Sequence, residues 1–383
     1  MKKQIALKYA AIYPMFLLVV SIFYVPVNAA HNQTVIPIID YRPADNFNFI
    51  TEYAFLQTEI TVHAIYENTL WASQNRTGRL LQSTNQGGNW TLIYEFHKPI
   101  RTVYIDEIGN IFVSITLNRW AYVGTGEIFR SSDGGQTFCR VLALQSGTAE
   151  HWNIASRNGT MFVSEYGFKG YGDNARRIYR SLDWGIIWET VFEPVPLVNY
   201  HLHKTLILDD SVVYQSIGDG ENAKIIRSDN NGNTWTTVVR GFQPTSAIVL
   251  DNYILWGLDG GPWYGVARYS RQTGEITQAF TTPYPFGSSN YDMIKVHGVI
   301  YAMFLSYGGG SYCHPGSIFY SKDEGLTWEL LGYITKAPSW GVGLYSIVVD
   351  EEFAYVSISA PIYRYGRMEK NFYGTLRFKL IKS

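Results

Sequence analysis

One short pattern returns along this chain at regular intervals. It is Ser-x-Asp/Asn-x-Gly-x-Thr-Trp. The copies are Ser83-Thr-Asn-Gln-Gly-Gly-Asn-Trp90, Ser131-Ser-Asp-Gly-Gly-Gln-Thr-Phe138, Ser181-Leu-Asp-Trp-Gly-Ile-Ile-Trp188, Ser228-Asp-Asn-Asn-Gly-Asn-Thr-Trp235 and Ser321-Lys-Asp-Glu-Gly-Leu-Thr-Trp328. A worn copy stands at Ser270-Arg-Gln-Thr-Gly-Glu-Ile-Thr277. The run Ile362-Tyr-Arg-Tyr365 lines up with Ile178-Tyr-Arg-Ser181 and marks a seventh unit that has lost its turn. The first positions fall at 83, 131, 181, 228, 270, 321 and 365, so the unit is roughly 42 to 51 residues long. A unit of that size accommodates four short strands. It cannot bury its apolar surface alone, so neighbouring units must stack.

Composition agrees with strands. Aromatic residues make up 16% of the chain, charged residues only 16%, and Gly is frequent. Such a mix suits short strands joined by tight turns and does not suit disorder. In the second unit, residues 101–106 read as an inner strand. Residues 111–117 follow after a Gly-Asn turn, 127–131 lead into the repeated turn and 137–144 leave it. The fold class expected is all-β.

The repeated turns resemble the Asp-box, or bacterial neuraminidase (BNR) repeat, family, over about residues 60–380. The resemblance implies a seven-bladed β-propeller with Asp-box repeats, sialidase-like in fold. In such a box the Asp bonds backbone N–H groups of its own turn, Gly supplies a positive φ, and Trp packs between blades. The box recurs in sialidases, other glycan-active propellers, sorting receptors and assembly factors, so it specifies architecture more than activity. Sialidases of this type also carry an Arg-Ile-Pro segment and an arginine triad. The nearest run here is Tyr41-Arg-Pro43, and no triad can be assigned.

The N-terminus reads as an export signal over residues 1–30. Lys2, Lys3 and Lys8 precede an almost wholly apolar stretch at 12–27, and Val27-Asn28-Ala29 offers small residues for cleavage. Residues 31–59 are then an N-terminal extension and 60–383 the propeller. The expectation is a secreted, extracytoplasmic monomer with no membrane association after signal cleavage. Net charge is −1 and no basic stripe appears, so no nucleic-acid partner is expected. Cys139 and Cys313 fall on non-neighbouring units and read as free thiols. Sequons occur at Asn32, Asn75, Asn89 and Asn158.

The implied propeller sorts the loops. Loops between the second and third strands of a blade share one rim with the loops between blades, and the box turns take the other rim. Glu165, Asp219 and Asp259 end the second strands of three consecutive units. Loops between units add His151, Trp152, His201, His203, Gln243, Asn290, Tyr291 and Asp292 to the same rim. Glu165, His201, His203, Asp219 and Asp259 are the candidate catalytic groups. Trp152, Tyr166, Arg176, Gln243, Trp263 and Tyr291 are candidate substrate contacts.

His201 and His203 project to one side of a strand. That suits two ligands of a divalent metal, or a base and its orienting partner. It equally suits two channel imidazoles satisfied by water or backbone. Aromatic faces beside carboxylates and amides fit sugar rings, so a carbohydrate ligand is expected. Paired carboxylates would give a glycoside hydrolase, whereas a His or Tyr base with Arg176 or a metal neutralising a uronate would give a polysaccharide lyase. The alternative is a non-enzymatic scaffold or receptor propeller that holds a protein partner.

Overall fold

The computed structural model describes residues 47–56, 59–116, 126–145, 150–166, 176–194, 201–218, 222–260, 263–284, 286–305, 315–334, 343–364 and 367–382. The chain divides into two compact units, residues 1–33 and 34–383, and every described residue belongs to the second. The expected signal segment, Asn32 and Cys313 therefore lie outside the described residues.

The described residues contain no α-helix. Two short strands come first, β1 (Phe47–Phe49) and β2 (Tyr53–Phe55). The first array then runs β3 (Ile60–Tyr66), β4 (Thr69–Gln74), β5 (Arg79–Ser83) and β6 (Thr91–Glu95). The second is β7 (Ile100–Ile105), β8 (Ile111–Ile115), β9 (Glu127–Ser131) and β10 (Cys139–Ala143). The third is β11 (Glu150–Arg157), β12 (Thr160–Tyr166), β13 (Ile178–Ser181) and β14 (Glu189–Phe192). The fourth is β15 (His201–Ile207), β16 (Val213–Gly218), β17 (Lys224–Ser228) and β18 (Thr236–Arg240). The fifth is β19 (Gln243–Val249), β20 (Tyr253–Gly260), β21 (Gly265–Ser270) and β22 (Ile276–Phe280). The sixth is β23 (Ser289–Val296), β24 (Val299–Leu305), β25 (Gly316–Ser321) and β26 (Glu329–Ile334). The last strands are β27 (Gly343–Val349), β28 (Phe353–Arg364) and β29 (Arg367–Lys379).

Pairing is antiparallel and sequential within each array. The seventh is completed by β2, which pairs with β29 and so joins residues from opposite ends of the chain, while β1 adds a fifth strand to β26. The strands Phe47–Phe49 and Tyr53–Phe55 thus stand at outer edges. One expectation is corrected here. Ile362 lies in the second strand β28, paired to Lys370, so residues 362–364 form the end of the second strand, where it pairs with the start of β29, and Tyr365 lies outside the described residues. The third strand of the seventh array is β29, and the alignment to Ser181 is out of register.

Packing explains why the arrays form. Second strands are buried on both faces, as in β8 and β24, and they read as continuous apolar runs. Fourth strands such as β6 and β10 are largely exposed. The apolar cores lie between adjacent arrays. One joins Phe112 and Leu142 of the second to Ile154 and Tyr179 of the third. Another joins Tyr355 and Phe353 of the seventh to Val62 and Leu70 of the first.

The repeated turns have a common geometry. Ser131 Oγ accepts from Gly135 N–H at 2.9 Å, and Asp133 accepts from the Thr137 N–H and hydroxyl. Those bonds hold the Asp133 carboxyl down to about 2. Ser181, Ser228 and Ser321 repeat the serine bond. Two successive residues take positive φ in each turn, as at Trp184 and Gly185. Gly185 also sets its bare Cα against the array before it, where a Cβ would stand 2.5 Å from Phe112.

An arginine on the third strand clasps the next turn. Arg130 donates to Trp184 O at 2.9 Å, Arg180 to Asn231 O, Arg268 to Glu324 O at 2.7 Å, and Arg377 of the seventh array to Gln86 O of the first at 3.3 Å.

Gly185→Ala is expected to destabilise by about 3 kcal/mol, combining left-handed strain with overpacking. Gly134→Ala shares the positive φ but meets nothing within 4 Å, so it should cost only about 1 kcal/mol. Equal losses of urea-unfolding free energy would show that contact with Phe112 is irrelevant.

Candidate functional site

Each inner strand carries a β-bulge near its start. The register slips between Val62 and Ala64, Ile100 and Thr102, His151 and Ile154, and Leu202 and Thr205. It slips again between Pro244 and Ser246, Asn290 and Asp292, and Leu344 and Ser346. The extra residues are His63, Arg101, Trp152 with Asn153, His203 with Lys204, Thr245, Tyr291 and Tyr345. A bulge kinks its strand and re-aims a side chain. It also leaves backbone groups without ladder partners, which must be satisfied otherwise. Buried hydroxyls of the preceding array do this. Ser216 Oγ donates to Pro244 O at 2.8 Å, and Ser357 Oγ to Val62 O at 3.3 Å. Asn153 makes a double bond pair with Thr205, accepting its N–H at 2.9 Å and donating to its carbonyl at 3.1 Å.

Several bulge residues meet in one cluster. The Trp152 ring lies 5.1 Å from Tyr166, 4.9 Å from His203 and 5.4 Å from Tyr291, centroid to centroid. Tyr166 is 4.7 Å from His201, and Tyr291 is 6.4 Å from Tyr345. Trp152 Nε1 donates to Thr245 O at 3.0 Å, which fixes the indole across from the third array to the fifth. His203 Nδ1 donates to Pro244 O at 3.1 Å, so a neutral ring carries its proton on Nδ1 and its lone pair on Nε2. The missing Cβ of Gly218 gives that ring its place, since a Cβ would sit 2.2 Å from Cε1. His203 is buried beneath the cluster. Trp152, Tyr166, His201 and Tyr291 are half-buried, and Tyr345 is 45% exposed.

The structure thus brings together five of the sequence-derived candidates: Trp152, Tyr166, His201, His203 and Tyr291. Gln243 and Asp259 sit at the neighbouring edge, where Gln243 pairs with Gly260 across β19 and β20. Asp219 lies outside the described residues. Among the described residues no group of three His, Cys, Asp or Glu is placed to hold a metal.

One expectation is corrected, and two further candidates have structural partners of their own. Glu165 is fully buried and its two oxygens are occupied. Oε1 accepts from Tyr179 Oη at 2.7 Å and Gln145 N–H at 3.1 Å. Oε2 accepts from the N–H groups of Arg176 and Arg177. It ties loops together and is not placed as a catalytic acid or base. The Arg176 guanidinium bonds Glu193 at 2.7 Å. Trp263, half-buried, packs edge-on to Phe242 at 5.2 Å, against the core between the fourth and fifth arrays.

Other groups were missed from sequence. His63, Arg101 and Tyr345 occupy the same bulge position in the first, second and seventh arrays as the cluster residues do in theirs. Desolvation, then the charge of Arg101, lowers both the His63 and the His151 imidazole to about 3. Desolvation pushes the Asp292 carboxyl up, with Lys204 opposing.

With this geometry in view, the likenesses to known proteins become informative. No family model matches the chain. A curated xyloglucanase from Paenibacillus sp. is 23% identical over 260 residues, which is 59% of this chain but only 24% of that protein. Among solved structures, virginiamycin B lyase from Staphylococcus aureus with quinupristin gives a TM-score of 0.57 at 16% identity, covering 87% of this chain and 100% of that one. YCF48 bound to D1 peptide gives 0.55 at 14%, covering 91% and 100%. The GH74 xyloglucanase from Xanthomonas campestris gives 0.55 at 14%, covering 85% and 54%. The chain is a β-propeller. The bulged strands are therefore the channel-lining strands of a propeller, and the aromatic cluster lies among them.

Two outcomes test these placements. Glu165→Ala should lower stability by about 3 kcal/mol, because it strands the Tyr179 hydroxyl and the N–H groups of Gln145, Arg176 and Arg177. A wild-type melting temperature would return Glu165 to the candidate catalytic groups. For His151, the unfolded ring takes up a proton below about pH 6.5 that the native ring refuses until about 3. Stability should fall across that window as pH drops, by up to about 1.4 kcal/mol per unit from this group. His151→Asn should show a shallower fall in urea titrations between about pH 6 and 4, and identical slopes would refute the assignment.

Proposed function

We propose that this protein is a secreted seven-bladed Asp-box propeller that binds carbohydrate at the aromatic cluster of its channel mouth. The seven arrays are read as seven blades. The core between seventh and first arrays, the Arg377 clasp on Gln86 and the Ser357 bond to Val62 support closure of the ring. The serine, carboxylate and left-handed glycine of the repeated turns support the Asp-box reading. Residues 1–30 are proposed as the export signal, 31–59 as an extension and 60–383 as the propeller, released as a monomer.

The observation that carries the carbohydrate reading is the chain of rings Tyr166, Trp152, Tyr291 and Tyr345, each against the next, with the indole of Trp152 fixed by its bond to Thr245 O. Pyranose C–H faces stack on such rings, while the imidazoles, Gln243 and Asp259 offer hydroxyl partners at the edge. The likeness to xyloglucanases favours the same ligand class. Chemistry at this mouth would fall to His201, His203 and the tyrosine hydroxyls, because Glu165 is occupied elsewhere. That arrangement suits proton abstraction, as in a polysaccharide lyase, better than a two-carboxylate hydrolase.

The test is a polysaccharide binding and turnover panel on the protein beginning near His31, run with and without chelator. Tyr345→Ala, at an exposed position, should weaken binding by roughly 10-fold with an unchanged melt, while Trp152→Ala should weaken it further. Binding of peptides but of no glycan would favour a scaffold role instead.

A further inference from the structure

The arginine clasps between arrays share one kind of acceptor. Trp184, Asn231, Glu324 and Gln86 are each the first left-handed residue of their turn, the one just before the glycine. The worn turn of the fifth array breaks this rule. Gly274 keeps its positive φ, but Thr273 before it does not. Ser270 Oγ accepts from Thr273 N–H at 3.1 Å, where the other turns bond the glycine. Arg227 stands one residue before its turn serine, as Arg130 and Arg180 do, and makes no clasp to the fifth array.

Arg180 shows what Arg227 lacks. Its Nε and Nη2 hold Glu189, and its Nη1 takes Asn231 O. Arg227 likewise places Nε and Nη2 on Asp229, at 2.7 and 2.5 Å, and its guanidinium lies 5.5 Å from the Tyr214 ring centroid. Among the described residues, nothing accepts from its Nη1. At this seam a cavity of about 310 Å³ opens between the arrays. It is lined by Leu208 and Val212 of the β15–β16 hairpin, Asp251 of the β19–β20 hairpin, and Arg227 and Arg271. Arg271 is held through Nη1, which donates to Asp251 O at 2.7 Å and Leu250 O at 3.3 Å. Its Nε and Nη2 and the Asp251 carboxylate make no hydrogen bond among the described residues.

We propose that this seam is a second binding site, at the far end of β15 from His201, and that its ligand is a neutral sugar residue. Charge argues against an ion. Asp229 already neutralises Arg227, and Asp209 and Asp251 line the same cavity as Arg271, so a charged ligand of either sign meets like charge. The open groups are guanidinium N–H, which only donate, and carboxylate oxygens, which only accept. A hydroxyl serves both, accepting from an arginine while donating to Asp251. Leu208 and Val212 give an apolar wall for the C–H face of the ring. The volume lies at the low end of small-ligand sites, about 300–1,000 Å³, and so suits a single sugar unit better than a folded partner.

The experiment is saturation-transfer NMR on the folded protein with glucose, galactose, mannose and xylose, beside glucuronate, glucosamine and triglycine. At least one neutral sugar should bind, and more tightly than either charged sugar. Asp251→Ala removes an exposed carboxylate that holds nothing in the protein, so the melt should stay where it is while affinity falls by about 10-fold. Asp251→Asn, which keeps an acceptor, should retain part of the binding. Tyr345→Ala, at the aromatic cluster, should leave this affinity unchanged.

Failure of all four neutral sugars would overturn the second site, and the channel mouth would still be judged by its own polysaccharide panel. Binding lost in Tyr345→Ala but intact in Asp251→Ala would assign the sugar to the channel and overturn the seam. Triglycine binding that Asp251→Ala abolishes, with no sugar bound, would make the seam a peptide site and overturn the sugar assignment.

Discussion

One residue too many in each inner strand is the constraint on which this molecule turns. A bulge breaks the ladder, and a broken ladder inside a protein leaves carbonyls and amides that must be bonded again. Here the array before supplies the missing partner. Ser216 bonds Pro244 O, Ser357 bonds Val62 O, and Asn153 takes both backbone groups of Thr205. The same irregularity that swings Trp152, His203 and Tyr291 toward one another thus also stitches one array to the next. Site and scaffold are the same set of hydrogen bonds, so the rings need no loop to hold them.

The repeating arrays were legible because their signal recurs. Ser131, Asp133 and Gly135 each have a conformational task that few other residues perform, and the pattern returns at the spacing of four strands. The aromatic and imidazole residues of the third, fourth and sixth arrays were legible from register alone. Arg101, His63 and Tyr345 were not singled out, because a bulge is a fact about two strands and its partner strand is not written beside it. Glu165 misled for a related reason. Its position at the end of β12 was correctly placed, but the N–H groups that occupy it come from residues 145, 176 and 177, whose approach depends on loop conformation. Trp263 shows the limit for aromatics in connecting segments. A wedge between arrays and a ligand platform have the same composition, and only Phe242 at 5.2 Å separates them.

Which acids and bases the cluster leaves open follows from their hydrogen bonds. A buried carboxylate with every oxygen occupied is a strut, whereas an imidazole with one nitrogen bonded to a carbonyl has the other defined as a base. His203 is of the second kind, yet it lies beneath Trp152 and Tyr166. Its reach to a ligand therefore passes through the tyrosine or through displacement of the ring stack. His201, half-buried and 4.7 Å from Tyr166, has the more open approach.

The pairing of β2 with β29 sets an order on biosynthesis. Val62 N–H meets Thr375 Oγ across 313 residues of sequence. The strand Tyr53–Phe55 is made long before its partner, Arg367–Lys379. Until residue 379 has left the ribosome, β2 has no sheet to join and the first array presents an uncovered flank. The seventh array must therefore assemble from segments that lie before and after the other six arrays in the chain. Such long-range closure is slow compared with local pairing. A chain cut short before β29 would leave the seventh array without the strand that both β2 and β28 pair with.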